Sequence, residues 1–212
     1  MNYKTIRQVD IYLGIPLAYL VFSLKSILEE RIGIDTQDNY KNILLIKFCG
    51  LGNVAMLLPT AKVLKSRYPG ARIDFLTLTS NNEISLAAGV FDSIYTIDTT
   101  NSYVFSRTAF KNLFTLKKNK YDLVIDFEQF ARFSALFCAL IGKKARIGFD
   151  TRAQHRQFLY TDTVKYNNNI HITKSFYQLV ELVGVNGAQD FKPVPIFCSE
   201  SDMPGLPLRA LD

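Results

Sequence analysis

The sequence predicts an α/β domain built on a mainly parallel, doubly wound sheet, and two observations predict it. From about residue 42 onward, short apolar runs alternate with longer segments of helical spacing. The helical segments close on Pro69-Gly70, Gly89, Gly142 and Gly184, residues that stop helices. Alternation of this kind makes right-handed βαβ crossovers, which set the strands parallel and lay helices on both faces of the sheet.

Taken in order, residues 33–42 are polar and read as a linker, and residues 43–49 form an apolar strand. Residues 53–68 have Val54, Leu57, Leu58, Ala61 and Leu64 at helical spacing. Pro59 lies inside them, so a kink or an irregular first turn is expected. Strands follow at 72–78 and 93–97 around a short helix at 81–88. A helix at 105–118, a strand at 123–127, a helix at 131–141 and a strand at 145–149 come next. Residues 151–170 are polar and irregular, with a short strand at 158–164, before a last helix at 172–183. The tail from Ser199, with Pro204, Gly205 and Pro207, reads as linker or disorder. In such sheets ligands sit at the carboxyl ends of the strands. Here those ends are residues 48–53, 79–82, 98–100, 127–130 and 150–156.

Composition narrows the function classes. With 48% hydrophobic and 21% charged residues, the chain has the makings of a folded core. Its net charge of +6 favours anionic partners. The three cysteines, Cys49, Cys138 and Cys198, are odd in number, far apart and without a C-x-x-C pair. That pattern points to reduced thiols in a cytoplasmic protein, without structural disulfides or zinc. His155 and His171 form no ligand cluster, and nothing in the sequence demands a metal.

Residues 11–24 are uncharged but too few for a bilayer span of about 20 residues. Asp10 and the lack of a small-x-small site argue against a signal peptide. From Pro16, the residues Leu17, Leu20, Val21, Leu24, Ile27 and Leu28 recur at helical spacing. This amphipathic helix either packs on the domain or lies on a membrane surface. Tyr12, Tyr19 and Phe22, near Lys4, Arg7 and Lys25, suit an interface.

The first βα turn carries the most specific text, "KFCGLGNVAMLLP" at 47–59. Gly50, Gly52 and Ala55 satisfy the G-x-G-x-x-[G/A] dinucleotide pattern. A helix start behind glycines presents free N–H groups to phosphate, carboxylate or sugar hydroxyls. A nicotinamide cofactor also needs an acid at the end of the second strand, which reads Leu78-Thr79-Ser80 instead; Asp74 stands at its start. Asn53 is well suited to be the N-cap of the following helix, a role compatible with ligand binding.

"ILLIKFCGLGNVAMLLPTAKVLKSRYPGARIDFLT" resembles the opening of glycosyltransferase family 9, the ADP-heptose:lipopolysaccharide heptosyltransferases. That opening has a strand, a G-D turn, "LP", a helix and "(F/Y)P-x-A-x-I-x-x-L". "YDLVIDFEQFARFSALFCALIGKKARIGFD" is similar to the family's later block. The block comprises a "YD-x-x-(I/V)-D" strand, a small-residue helix and an "R-I-G-(F/Y)" strand. The resemblance runs from about Asn42 to Pro195. It implies a GT-B enzyme of two Rossmann-like domains, with the acceptor held by the first and the nucleotide sugar by the second. This chain matches the first, and Lys192-Pro193-Val194-Pro195 falls where an interdomain linker would begin. The expected organisation is therefore an amino-terminal helix and linker at 1–41, a Rossmann-like acceptor-side domain at 42–197 and a truncated linker or tail at 198–212.

The implied reaction is inverting transfer of a sugar, heptose from ADP-heptose, to a lipopolysaccharide-core acceptor. No cofactor is required, and the donor is a substrate for the missing second domain. In the family, the aspartate of the G-D turn is the general base; here Asn53 stands there and cannot take a proton. Glu128, read as an exposed acid beyond the fourth strand, is the candidate substitute; Asp126 reads as a helix-capping or turn residue or a second candidate. Gly50, Leu51 and Gly52, with Arg132, Arg152, His155 and Arg156, are the candidate acceptor-binding residues, because arginines suit carboxylate and phosphate. The alternative for this basic group is a solvated loop paired with Asp150 or Asp162. His155 reads as an acid–base group or a loop histidine, and His171 as a cap or surface residue. The expected partners are an anionic glycolipid or glycan acceptor and the cytoplasmic face of the inner membrane, not nucleic acid. Two other classes stay open: a non-catalytic acceptor-binding module and an NAD(P)-dependent oxidoreductase.

Overall fold

The computed structural model describes residues 39–185 together with Pro16, Tyr19, Leu20 and Ser23. The last four are helical, and Tyr19 stacks on Phe158 with ring centroids 4.8 Å apart. The rest of the expected amino-terminal helix, the linker beyond residue 185 and the tail lie outside the described residues.

Six parallel strands form one sheet: β1 (Asn42–Ile46), β2 (Arg72–Leu78), β3 (Ser93–Ile97), β4 (Leu123–Asp126), β5 (Ala145–Asp150) and β6 (Asp162–Lys165). Their order across the sheet is β3-β2-β1-β4-β5-β6. This is the Rossmann order, in which the winding reverses between β1 and β4. The helices are α1 (Leu51–Arg67), α2 (Asn82–Ala87), α3 (Ser102–Lys118), α4 (Arg132–Ile141) and α5 (Ile172–Glu181).

Strand side chains alternate between the two faces. Ile43, Leu45, Ile73, Phe75, Leu123, Ile125, Ile147 and Phe149 pack with α1 and α5, whereas Leu44, Ile46, Leu76 and Val124 pack with α3 and α4. Ile43 to Ile46 are all fully buried, so β1 is hydrophobic on both sides, as a central parallel strand must be. Each such side chain contributes about 1.5–3 kcal/mol. Helix α1 runs unbroken through Pro59 from its start at Leu51, so the irregular first turn expected from that proline does not occur. The short sixth strand lies four residues later than its expected start at 158, because Gln157–Leu159 form a 3₁₀ turn first.

Candidate functional site

The carboxyl edge between β1 and β4 is the crevice where the winding reverses, and the sequence concentrates polar groups there. The segment Lys47–Phe48–Cys49 leaves β1 held from both sides. Glu128 Oε1 accepts from Lys47 Nζ at 2.9 Å, from the Phe48 N–H at 2.9 Å and from the Cys49 N–H at 2.6 Å. From the β2 side, Thr77 donates its hydroxyl to the Lys47 carbonyl at 2.6 Å, and Asn81 donates Nδ2 to the Phe48 carbonyl at 2.8 Å. Lys47 and Glu128 are 1% and 3% exposed, which corrects the reading of Glu128 as a solvated acid. One of its oxygens is already shared by three donors, and it fixes the backbone that leads into the glycine turn.

The turn itself is built on Gly50, whose φ of 88° lies in the left-handed region and favours glycine. Gly50, not Asn53, is the N-cap of α1, and it accepts the first helical bond from Val54 N–H at 3.0 Å. Asn53 sits in the first turn, with Nδ2 3.0 Å from where a Gly50 Cβ would lie. Its expected capping role is therefore corrected: the two glycines move the helix start two residues earlier. The N–H groups of Leu51, Gly52 and Asn53 have no intrahelical acceptor. Gly50, Leu51 and Gly52 are exposed, and Asn53 is half-buried.

Behind this edge lies a second polar group on the α4 face. Asp126, fully buried, accepts from the Glu128 N–H at 2.9 Å, from Ser134 Oγ at 2.7 Å and from the Tyr160 hydroxyl at 2.6 Å. This is the turn role expected of it. Burial pushes its carboxyl above the usual aspartate range, and the Arg156 guanidinium, 3.7 Å away, opposes that push. Gly148 leaves room for Tyr160, because a Cβ there would lie 2.3 Å from the ring.

The basic group divides in two. Arg156 is 0% exposed and donates to the Ala131 carbonyl at 2.6 Å, to Ser134 Oγ at 3.3 Å and to the Glu128 carbonyl. Arg132, 5% exposed, donates Nε to the Gln154 carbonyl at 2.8 Å. Both arginines are inside the protein rather than on the open edge, and they hold the β4 and β5 loops together. In the loop they hold, Ala153 and His155 have φ of 63° and 49°, costly for side chains that carry a Cβ. Arg152 and His155 are exposed on that loop, and among the described residues Arg152 is ion-paired with neither Asp150 nor Asp162. His171 caps α5, its Nδ1 accepting from the Thr173 N–H at 3.3 Å.

Three buried polar atoms on this same edge find no partner among the described residues: Gln129 Nε2, Thr151 Oγ1 and Gln154 Oε1. Buried polar groups are ordinarily satisfied, and these three belong to the loops that follow β4 and β5. Sequence reasoning missed Lys47, Thr77, Asn81, Gln129 and Tyr160. Only Lys47 left a signal, a charge inside the apolar run ILLIKFC. No group of three metal-ligating side chains occurs among the described residues, and no described helix is long and apolar enough to cross a membrane.

No protein-family model matches the chain, and no curated protein matches its sequence. Solved structures do. E. coli heptosyltransferase WaaC with ADP-2-deoxy-2-fluoro heptose is 16% identical, with a TM-score of 0.60 over 70% of this chain and 50% of its own. The same enzyme with ADP gives 16%, 0.60, 70% and 49%. The glycosyl transferase family 9 from Veillonella parvula DSM 2008 is 15% identical, with a TM-score of 0.66 over 78% of this chain and 47% of its own. The chain thus spans about half the length of these structures. Over the part they share it has the Rossmann-like fold of these structures, as the sequence resemblance implied for the first domain.

Proposed function

We propose that this chain is the acceptor-side domain of an inverting GT-B glycosyltransferase of the family 9 kind. A sugar, heptose from ADP-heptose, would pass to a hydroxyl of an anionic lipopolysaccharide-core glycan. In that reaction the acceptor oxygen bonds to the anomeric carbon, the bond to the phosphate oxygen breaks, and ADP leaves with the electron pair. The acceptor proton goes to a base. The observation that carries the reading is the edge between β1 and β4. There the free amides of residues 51–53 share the carboxyl edge of the sheet with the loops after β4 and β5, which carry the unpartnered polar atoms of Gln129, Thr151 and Gln154. Exposed Arg152 and His155 add the affinity for anions. The donor would be held by a second domain.

A second reading, a non-catalytic acceptor-binding module, is favoured by the state of the three candidate bases. Asn53 cannot accept the proton, Asp126 is enclosed, and one Glu128 oxygen is already shared by three donors.

The test is an amide NMR titration with a deacylated, phosphorylated inner-core oligosaccharide. Saturable shifts are expected at residues 51–53 and 151–156. Gly52→Asp leaves the fold intact, since nothing lies within 4 Å of the new Cβ, but it sets a carboxylate at the anion site. Affinity should fall about fivefold. Shifts confined to other parts of the chain overturn the reading. Saturable shifts at 51–53 with NADH instead of the glycan would favour the oxidoreductase. Fusion to a family nucleotide-sugar domain separates the first two readings: turnover gained only with Asn53→Asp identifies the accessory module.

A further inference from the structure

Helix α3 carries an outward face that the sugar-transfer reading does not use. Tyr103, Phe110 and Phe114 are 74%, 61% and 65% exposed. Their spacing of i, i+7 and i+11 places the three rings within about 40° of arc on the helix surface. The opposite face, Ala109, Asn112 and Leu116, is buried against the sheet and α4. Aromatic rings normally go inside, so a line of three in solvent requires a partner.

The charges around that line identify the partner. Arg107, Lys111 and Lys118 flank the rings on one side and Lys117 on the other, and all four are exposed. None of them is ion-paired among the described residues. The helix, SYVFSRTAFKNLFTLKK, contains no acidic residue. An isologous contact with a second copy would bring this cationic face against itself, which like-charge repulsion opposes. A nucleic-acid strand needs a groove that tracks its backbone, whereas these rings stand on the convex side of a single helix. A bilayer with anionic headgroups fits both features: rings enter the headgroup boundary, and lysine stems reach along them to the phosphates. We propose that α3 is a docking face for an anionic lipid surface, with Tyr103, Phe110 and Phe114 as its anchors. The docking is independent of the transferase reading. Because α3 starts at the carboxyl edge of β3, its Tyr103 end lies at the same edge of the sheet as the glycine turn.

The full chain should co-sediment with phosphatidylglycerol–phosphatidylethanolamine vesicles and not with pure phosphatidylcholine vesicles. Phe110→Ser with Phe114→Ser should weaken that binding about tenfold or more, as should Lys111→Glu with Lys118→Glu. Exposed sites tolerate such changes, and an unaltered thermal melt confirms folding. Wild-type affinity in both double variants overturns the proposal and moves any membrane contact to the amino-terminal helix. The proposal is also overturned if the wild type fails to bind anionic vesicles. A dimer in light scattering that the serine variants dissociate identifies a second copy as the occupant instead. Release from vesicles by an equimolar RNA oligomer would overturn it in favour of nucleic acid. Vesicle binding without glycan shifts at residues 51–53, or the reverse, separates this proposal from the functional one.

Discussion

Gly148→Ala tests whether the buried network behind the ligand edge is held by the geometry described. A methyl at this position would lie 2.3, 2.5 and 2.6 Å from three ring atoms of Tyr160. Carbon contacts settle near 3.5–4.0 Å, so the ring must retreat by about 1 Å or more. Tyr160 is 2% exposed and its hydroxyl donates to Asp126 at 2.6 Å, so any retreat stretches or breaks that bond. Overpacking costs about 1–3 kcal/mol, and a lost bond to a buried carboxyl about 1.5–3 kcal/mol. Because one motion causes both, the expected cost is about 3–5 kcal/mol. For a chain of this size that lowers the melting temperature by about 6–20 °C. The assay is urea unfolding of Gly148→Ala, Tyr160→Leu and the double variant. Once the ring is gone the methyl has room, so the double variant should be no less stable than Tyr160→Leu alone. A Gly148→Ala cost below about 1 kcal/mol, or one that adds fully to Tyr160→Leu, refutes the packing argument.

Three further predictions rest on the same edge. Gly52→Ala should stabilise the chain by about 0.5–1 kcal/mol, since the residue is helical and nothing crowds its Cβ, whereas Gly50→Ala should destabilise it by about 1–2 kcal/mol at φ 88°; denaturant midpoints decide the signs. Lys47→Met leaves Glu128 buried without its cation and should cost about 3–5 kcal/mol, much of it recovered by adding Glu128→Gln; full additivity would deny the pairing. Asp126 has a raised folded-state pKa, so the folded state holds its proton longer than the unfolded chain does. Stability from this group is present below the ordinary value of 3.8 and is lost as pH rises toward the folded value. The deficit of Asp126→Asn relative to the wild type should therefore shrink as pH rises from 4, read by melts across that range.

How much of this was legible in the sequence depends on how local each signal was. The bounds of β2 and β3 match their expected residues, because each is a short apolar run between turn residues. The edge formed by the strands' carboxyl ends was also legible, since parallel strands must put those ends on one side. The start of α1 was not. Asn53 is the better capping residue by composition, but Gly50 can adopt the left-handed φ that turns the chain into the helix, and the helix begins where the backbone permits. Burial of charge was the other blind spot. Glu128, Arg132 and Arg156 looked like groups on the open edge because they follow the carboxyl ends of β4 and β5. Their partners, Lys47, the Gln154 carbonyl and the Ala131 carbonyl, are 81, 22 and 25 residues away. Such pairings follow from strand order, which no single segment encodes.

That blind spot bears directly on Asn53. If Glu128 were exposed, the loss of the turn aspartate would have an obvious remedy in a carboxylate beyond β4. Its burial against Lys47 and two backbone amides removes that simplicity. To act as base, Glu128 would have to work while one oxygen holds three donors and the side chain is enclosed. The same three bonds make the carboxylate a strut for the Phe48–Cys49 backbone, and through it for the open amides of α1. Binding and proton removal therefore place different demands on Glu128: orienting the turn keeps its oxygen on the three donors, whereas proton removal needs an oxygen at the acceptor hydroxyl. Glu128→Gln separates them, because the amide oxygen can still accept from Phe48 and Cys49 while no longer able to take a proton. Glycan shifts at residues 51–53 that survive this change would assign Glu128 to the turn, and the chemistry would then require a carboxylate from elsewhere.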